Sequence, residues 1–148
     1  MDFSFLNKYK VDSGLKQKSI LKHSFHDLAS DTIRAVEQDI MIPNDLKVFW
    51  EQIGYGFMFN DSYSIDRFLD PEEYKRINLG LEYYEFDPDS EFFRENYDRT
   101  IFFEVNEGVL LTIDKITEEI YYFDEKIANS LLDFLKRFDL EGHYFEKE

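Results

Sequence analysis

A single α+β domain, with an antiparallel β-sheet backed by helices, is the fold this sequence predicts, on three observations. Helical periodicity dominates the first half. Strand-like runs joined by short links fill residues 100–123, and strands that cluster rather than alternate with long helices indicate α+β. The 148 residues include 16 Phe and 10 Tyr at 43% hydrophobic content, enough for one thick, sheet-rich core.

Taken in chain order, Ser30 is the expected N-cap of a first helix, with Ile33, Val36 and Ile40 spaced i, i+3, i+7. Pro43 is expected at the first position of a second helix, where its missing N–H costs nothing. Leu46, Phe49, Trp50 and Ile53 then share one face while Lys47 and Glu51 face water. Burying those four side chains contributes roughly 6–12 kcal/mol before chain entropy is charged. Gly54 stands where the helix end calls for positive φ. Phe57 and Phe59, alternating with Met58, read as a strand, and 63–69 (YSIDRFL) as another. Asp70-Pro71 restarts a helix, with Asp70 as N-cap, Pro71 at the first position, and Glu72 and Glu73 favourable to the dipole.

The clearest strand signals follow. TIFFEVN (100–106) is expected to place Ile101, Phe103 and Val105 on one face. Asn106-Glu107-Gly108 reads as a hairpin turn with the glycine at the αL position, VLLTID (109–114) returns, and EIYYF (119–123) completes an antiparallel meander. Ser130 caps a last helix with Leu131, Phe134, Leu135 and Phe138 on one face, ending before Gly142.

Several function classes drop out on composition. There is no Cys, so disulfides, thiolate metal sites and cysteine nucleophiles are excluded. The N-terminus lacks a signal-like apolar core and no apolar run reaches the ~18 residues of a membrane span, so a cytoplasmic protein without a membrane partner is expected. The net charge of −15 is uneven: −1 over residues 1–60 and −14 over 61–148. That sign argues against nucleic-acid binding and is explained by a basic protein partner or by solubility alone.

The candidate chemical motifs are weak. Gly54-Tyr55-Gly56 follows a helix and precedes a strand, the reverse of a dinucleotide loop, and Phe59 stands where a third glycine belongs. His23 and His26 could hold a metal, but no third ligand is evident, and His143 lies near a terminus expected to fray. DPDSEFFRE (87–95) alternates carboxylates like a calcium loop, yet has Phe92 where glycine is needed. No serine sits in a G-x-S-x-G elbow. No catalytic residue, metal or cofactor is therefore assigned.

The strongest local feature is the acid–aromatic segment 81–99. Its Tyr83, Tyr84, Glu85, Asp87, Asp89, Glu91 and Tyr97 are the candidate contacts for a basic protein, with aromatics as anchors and carboxylates for steering. The competing reading buries the Phe side chains and leaves the acids as a solvated loop.

The motif order itself is distinctive: E-x-x-I (37–40), I-P-x-D-L-K-x-F-W-x-x-I-G-Y-G-F (42–57), I-D-R-F-L-D-P-E-E (65–73) and K-I-A-x-S-L-x-x-F-L (126–135). Over residues 30–138 this resembles the SUKH superfamily, which groups bacterial immunity proteins with fungal cell-wall-assembly regulators. Within it the chain looks most like the YobK/YxxD-type antitoxins of LXG toxins. The resemblance implies a scaffold role for Pro43, Trp50, Gly54, Tyr55, Gly56, Arg67, Asp70 and Pro71, beside a shallow cleft whose rim meets the toxin. It implies a cognate polymorphic toxin, bound through its C-terminal toxic domain without catalysis. The alternative by the same likeness is a regulatory module whose cleft senses a peptide or small ligand. A carboxylate hydrolase is a distant third.

Overall fold

The computed structural model describes residues 1–11, 22–62, 65–106 and 108–146. Its strands are β1 (His23–His26), β2 (Tyr55–Met58), β3 (Asp66–Phe68), β4 (Arg99–Val105), β5 (Val109–Asp114), β6 (Ile120–Tyr122) and β7 (Glu125–Ala128). They form one sheet in the order β1-β2-β3-β4-β5-β6-β7, every neighbouring pair antiparallel. The helices are α1 (Ser30–Glu37), α2 (Asn44–Gln52), α3 (Pro71–Leu79), α4 (Pro88–Asn96) and α5 (Leu131–Glu141), with 3-10 turns at Ser4–Tyr9 and Glu82–Phe86.

Adjacent residues of a strand point to opposite faces, and both faces of the central strands are covered. Phe25, Met58, Phe68, Phe103, Leu111, Ile113 and Ile120 join α2 and α5 in the main core. There Phe49 of α2 stacks on Phe68 with ring centres 4.1 Å apart. On the other face Leu69, Ile101 and Leu110 meet Ile77 of α3, Tyr84 of the 3-10 turn and Phe93 of α4. Leu110 and Leu111, consecutive in β5, thus serve the two cores separately.

The predicted α+β class holds, and the meander is longer than three strands: the strands expected near 57–59 and 63–69 join it as β2 and β3, and β1 and β7 extend its ends. The register of β4 shifts between Ile101 and Phe103. That bulge, an extra residue in one strand, sends Ile101 to the α3–α4 side while Phe103 and Val105 stay in the main core. The expected single face for the three is overturned by it. In β2 the inward residue is Met58, while Phe57 is exposed, and Phe59 lies past the strand at φ 56°.

The ends of elements shift by a residue. Ser30 begins α1 but makes no side-chain cap bond; Ala29 is the cap residue, and its carbonyl accepts from Thr32 N–H at 3.0 Å. Pro43 is likewise the cap residue rather than the first helical one, its carbonyl accepting from Lys47 N–H at 3.1 Å. Asp70 and Ser130 cap α3 and α5 as expected, accepting from Glu73 and Asp133 N–H at 2.8 and 3.1 Å. The αL conformation of the β4–β5 turn is taken by Asn106, at φ 51°. Residues 63–64 of the predicted second strand and Glu107 of that turn lie outside the described residues.

The segment His143 to Phe145 packs instead of fraying. Phe145 is buried against Phe134 and Phe138, and His143 Nε2 meets the buried Asp66 carboxylate at 2.7 Å. His23 and His26 point to opposite faces of β1, which separates the pair weighed and set aside as metal ligands. His23 donates from Nε2 to Asp139 at 2.6 Å and accepts at Nδ1 from Phe59 N–H at 3.0 Å.

Candidate functional site

The acid–aromatic segment is neither loop nor calcium site: it folds into the 3-10 turn Glu82–Phe86 and α4. Asp87 caps α4 by accepting from Ser90 N–H at 3.3 Å, with Pro88 at the first helical position. Phe93 and Tyr84 are the aromatic residues this unit buries, at 4% and 8% exposure. Because Tyr84 turns inward, its neighbours Tyr83 and Phe86 project outward, at 82% and 85% exposure.

Between this unit and the sheet lies a cleft of about 350 Å³ lined by Arg67, Ile77, Tyr83, Tyr84, Asp87, Asp89, Glu104, Gly108 and Leu110. The fold therefore brings five of the singled-out residues, Arg67, Tyr83, Tyr84, Asp87 and Asp89, to one place. Glu85 and Glu91 are exposed on the same turn-and-helix unit, outside the lining. Tyr97 lines a different cleft of about 300 Å³ with Arg94, Arg99 and Lys115. Its ring lies 3.9 Å from the Arg99 guanidinium, and its hydroxyl donates to Asp124.

The floor is a charged network. Arg67 meets Glu104 across the β3–β4 register at 3.2 Å and Glu73 at 3.9 Å. Glu73 also accepts from Arg76 at 2.9 Å and from the Tyr84 hydroxyl. Burial alone would raise the Glu73 carboxyl, but the bonds from Tyr84 and Arg76 outweigh it and hold the group below its usual value. Burial, aided by the neighbouring Glu73, pushes the Tyr84 hydroxyl up to about 12. Desolvation would lower Arg67, yet Glu104 and Tyr84 overcome it and keep the guanidinium charged. The floor is thus mutually neutralised, while the rim carboxylates remain open to a partner.

The scaffold residues frame this site. Asp70 and Pro71 set the start of α3, which carries Glu73 and Arg76. Trp50 donates from its indole to Leu69 O at 2.9 Å, tying α2 to the segment that leads into α3. Half-buried Tyr55 pairs with His26 in the β1–β2 register. A Cβ at Gly54 or Gly56 would stand 1.9 Å from the backbone oxygen of His26 or Ser24. The glycine pair lets β2 run against β1, with no room for a phosphate. Among the described residues no group of three or more His, Asp or Glu is placed to hold a metal.

Sequence reasoning missed Glu73 and Glu104 in the floor and the exposure of Phe86. Glu104 had a signal: it is the one charged residue inside the otherwise apolar run TIFFEV. A charge there needs a partner on its own face, and Arg67 provides it.

The site is an acid-rimmed cleft on an antiparallel sheet, its floor closed by paired charges. The chain is 33% identical over 134 residues to Immunity protein YxxD of Bacillus subtilis (strain 168), covering 86% of this chain and 91% of that protein. It belongs to that immunity-protein family. No family model matches the chain, and no solved structure does. No helix among the described residues is long and apolar enough to cross a membrane.

Proposed function

We propose that this chain is a non-enzymatic immunity protein of the SUKH type. It binds the toxic C-terminal domain of an LXG-type toxin and neutralises it without covalent chemistry. The observation that carries this reading is the likeness to an immunity protein over nearly the whole chain. The surface supports it: Glu82, Glu85, Asp89, Glu91 and Glu95 are exposed on one turn-and-helix unit, and residues 81–93 contain no Lys or Arg. Such a surface steers a basic domain, nuclease-like in charge, toward the aromatic rim. A standard contact of ~1,600 Å² would cover the unit and the cleft mouth.

The test uses the inactivated C-terminal toxic domain of each LXG-type protein in the host genome, titrated with this chain in rising salt. Binding by one domain that weakens steeply with salt, with rescue of cells expressing its active form, is the expected result. Absence of both rescue and binding for every domain overturns the reading. In that case a salt-insensitive small ligand in the 350 Å³ cleft becomes the working assignment.

A further inference from the structure

Two aromatic rings in the acidic unit have no packing role matching their size. Phe86 is 85% and Tyr83 82% exposed, although each could bury far more apolar surface in a core. They do not dangle from a loose loop. The turn that carries them is pinned from beneath by Tyr84, whose hydroxyl bonds Glu73. Arg94 reaches under it, donating to Ile77 O at 2.8 Å, Ser90 Oγ at 2.8 Å and Tyr84 O at 3.3 Å. Asp87, the next residue, is fixed as the cap of α4. Glu82, which opens the turn, is held at φ 54°, a conformation costly for a side chain with a Cβ and found where the surroundings over-determine it. Rings displayed on a turn already ordered lose little freedom on docking.

Charge selects the partner. Exposed Glu82, Glu85, Asp89 and Glu91 belong to the same unit as the two rings. Neighbouring cations already have partners on this chain: Arg94 as above, and Arg76 with Glu72, Glu73 and Glu82. A second copy of this chain would bring like charge to like charge, which opposes self-association.

We infer that Phe86 and Tyr83 anchor the contact, entering an apolar socket on the toxin domain whose rim is lysine and arginine. This rests on the neutralisation reading above. The carboxylates set the rate of encounter and the rings set the residence time, while Tyr84 acts from below as their support. Phe92, 50% exposed and 5.7 Å from both the Phe93 and Tyr97 ring centres, adds a secondary contact.

The experiment measures association and dissociation of the inactivated toxic domain with wild type, Phe86→Ala, Tyr83→Ala and, as a control, Leu140→Ala. Leu140 is equally exposed, at 83%, but lies on α5. Since none of these side chains is buried, all variants should fold with an unchanged melting midpoint. Phe86→Ala should raise the dissociation rate by about 30-fold or more, as truncation of a central anchor does. Tyr83→Ala should act in the same direction, with association near wild type for both and no effect of Leu140→Ala. Dissociation unchanged in Phe86→Ala and Tyr83→Ala, with wild type still binding, overturns the anchor assignment and leaves neutralisation standing. If wild type binds no toxic domain and protects no cell, the neutralisation reading fails, and the anchor assignment with it.

Discussion

Replacing Gly56 by alanine separates a structural glycine from a ligand-cradling one. The new Cβ would lie 1.9 Å from Ser24 O and 3.0 Å from Phe25 Cα, both backbone atoms that no rotamer change can move. Reaching an ordinary carbon–oxygen contact of about 3.3 Å requires β1 to retreat by roughly 1.4 Å. That stretches ladder bonds beyond hydrogen-bonding distance along the four residue pairs that join β1 to β2. Losing two or three bonds at about 1 kcal/mol each, with partial exposure of the buried Phe25 ring, gives roughly 3–5 kcal/mol. For a domain of this size that lowers the melting midpoint by roughly 10–15 °C. The assay is urea unfolding followed by the fluorescence of Trp50, the chain's one Trp and 1% exposed. Gly54→Ala, facing His26 O at the same 1.9 Å, should behave alike. A loss below about 1 kcal/mol in both variants would refute the close-approach argument, since a rigid strand contact leaves no cheaper escape.

Other expected outcomes follow from the same geometry. Glu85→Lys, Asp89→Lys and Glu91→Lys together should slow toxin association about 10-fold or more at low salt, an effect that fades as salt rises, with little change in stability. Asp87 is left out of that set because it caps α4; Asp87→Ala alone should cost about 1 kcal/mol in urea unfolding. Tyr84→Phe deletes the hydroxyl that Glu73 accepts from and should destabilise by about 1 kcal/mol, read by the same unfolding curve. The hydrogen bond to Asp66 raises His143 above its ordinary 6.5. Its stabilisation is therefore complete below that value and lost as pH rises through the higher folded one, so His143→Gln should cost more stability at about pH 5.5 than at about pH 8.5. Burial lowers His23, against the pull of Asp139, and its contribution runs the other way, fading as pH falls.

Where a side chain itself makes the local bond, as at Asp70 and Ser130, the sequence was a reliable guide, while Ser30 and Pro43 each fell one position off the cap. Asp70-Pro71 and Ser130 start helices because a carboxylate or hydroxyl satisfies a free N–H, and that bond is local. The periodicity of Leu46, Phe49, Trp50 and Ile53 identified a core helix because four buried positions on one stripe leave little else to form. Non-local effects were hidden. The bulge in β4 follows from pairing with β5 and covering on both faces, so no count along TIFFEV separates Ile101 from Phe103. Tyr84 and Phe86 sit two apart in one acidic run; which of them is buried depends on Glu73 and Arg67, which arrive from α3 and β3. The cleft was legible only in part, since Asp87 and Asp89 drew attention by charge, whereas Glu104 matters through a strand neighbour 37 residues away.

The strand order of the sheet follows the order of the chain without a crossover. Each strand pairs with the strand before it in the chain, closely in β4 to β7 and across two helices between β1 and β2 and between β3 and β4, so loop-closure cost stays modest. Such a sheet can be assembled vectorially, strand by strand, as the polypeptide leaves the ribosome. Only α5 and the segment carrying His143 and Phe145, which seal the main core against residues from the first half, must come after the whole sheet. A sheet ordered this way lets folding proceed alongside synthesis, with a short interval between the finished chain and the finished fold.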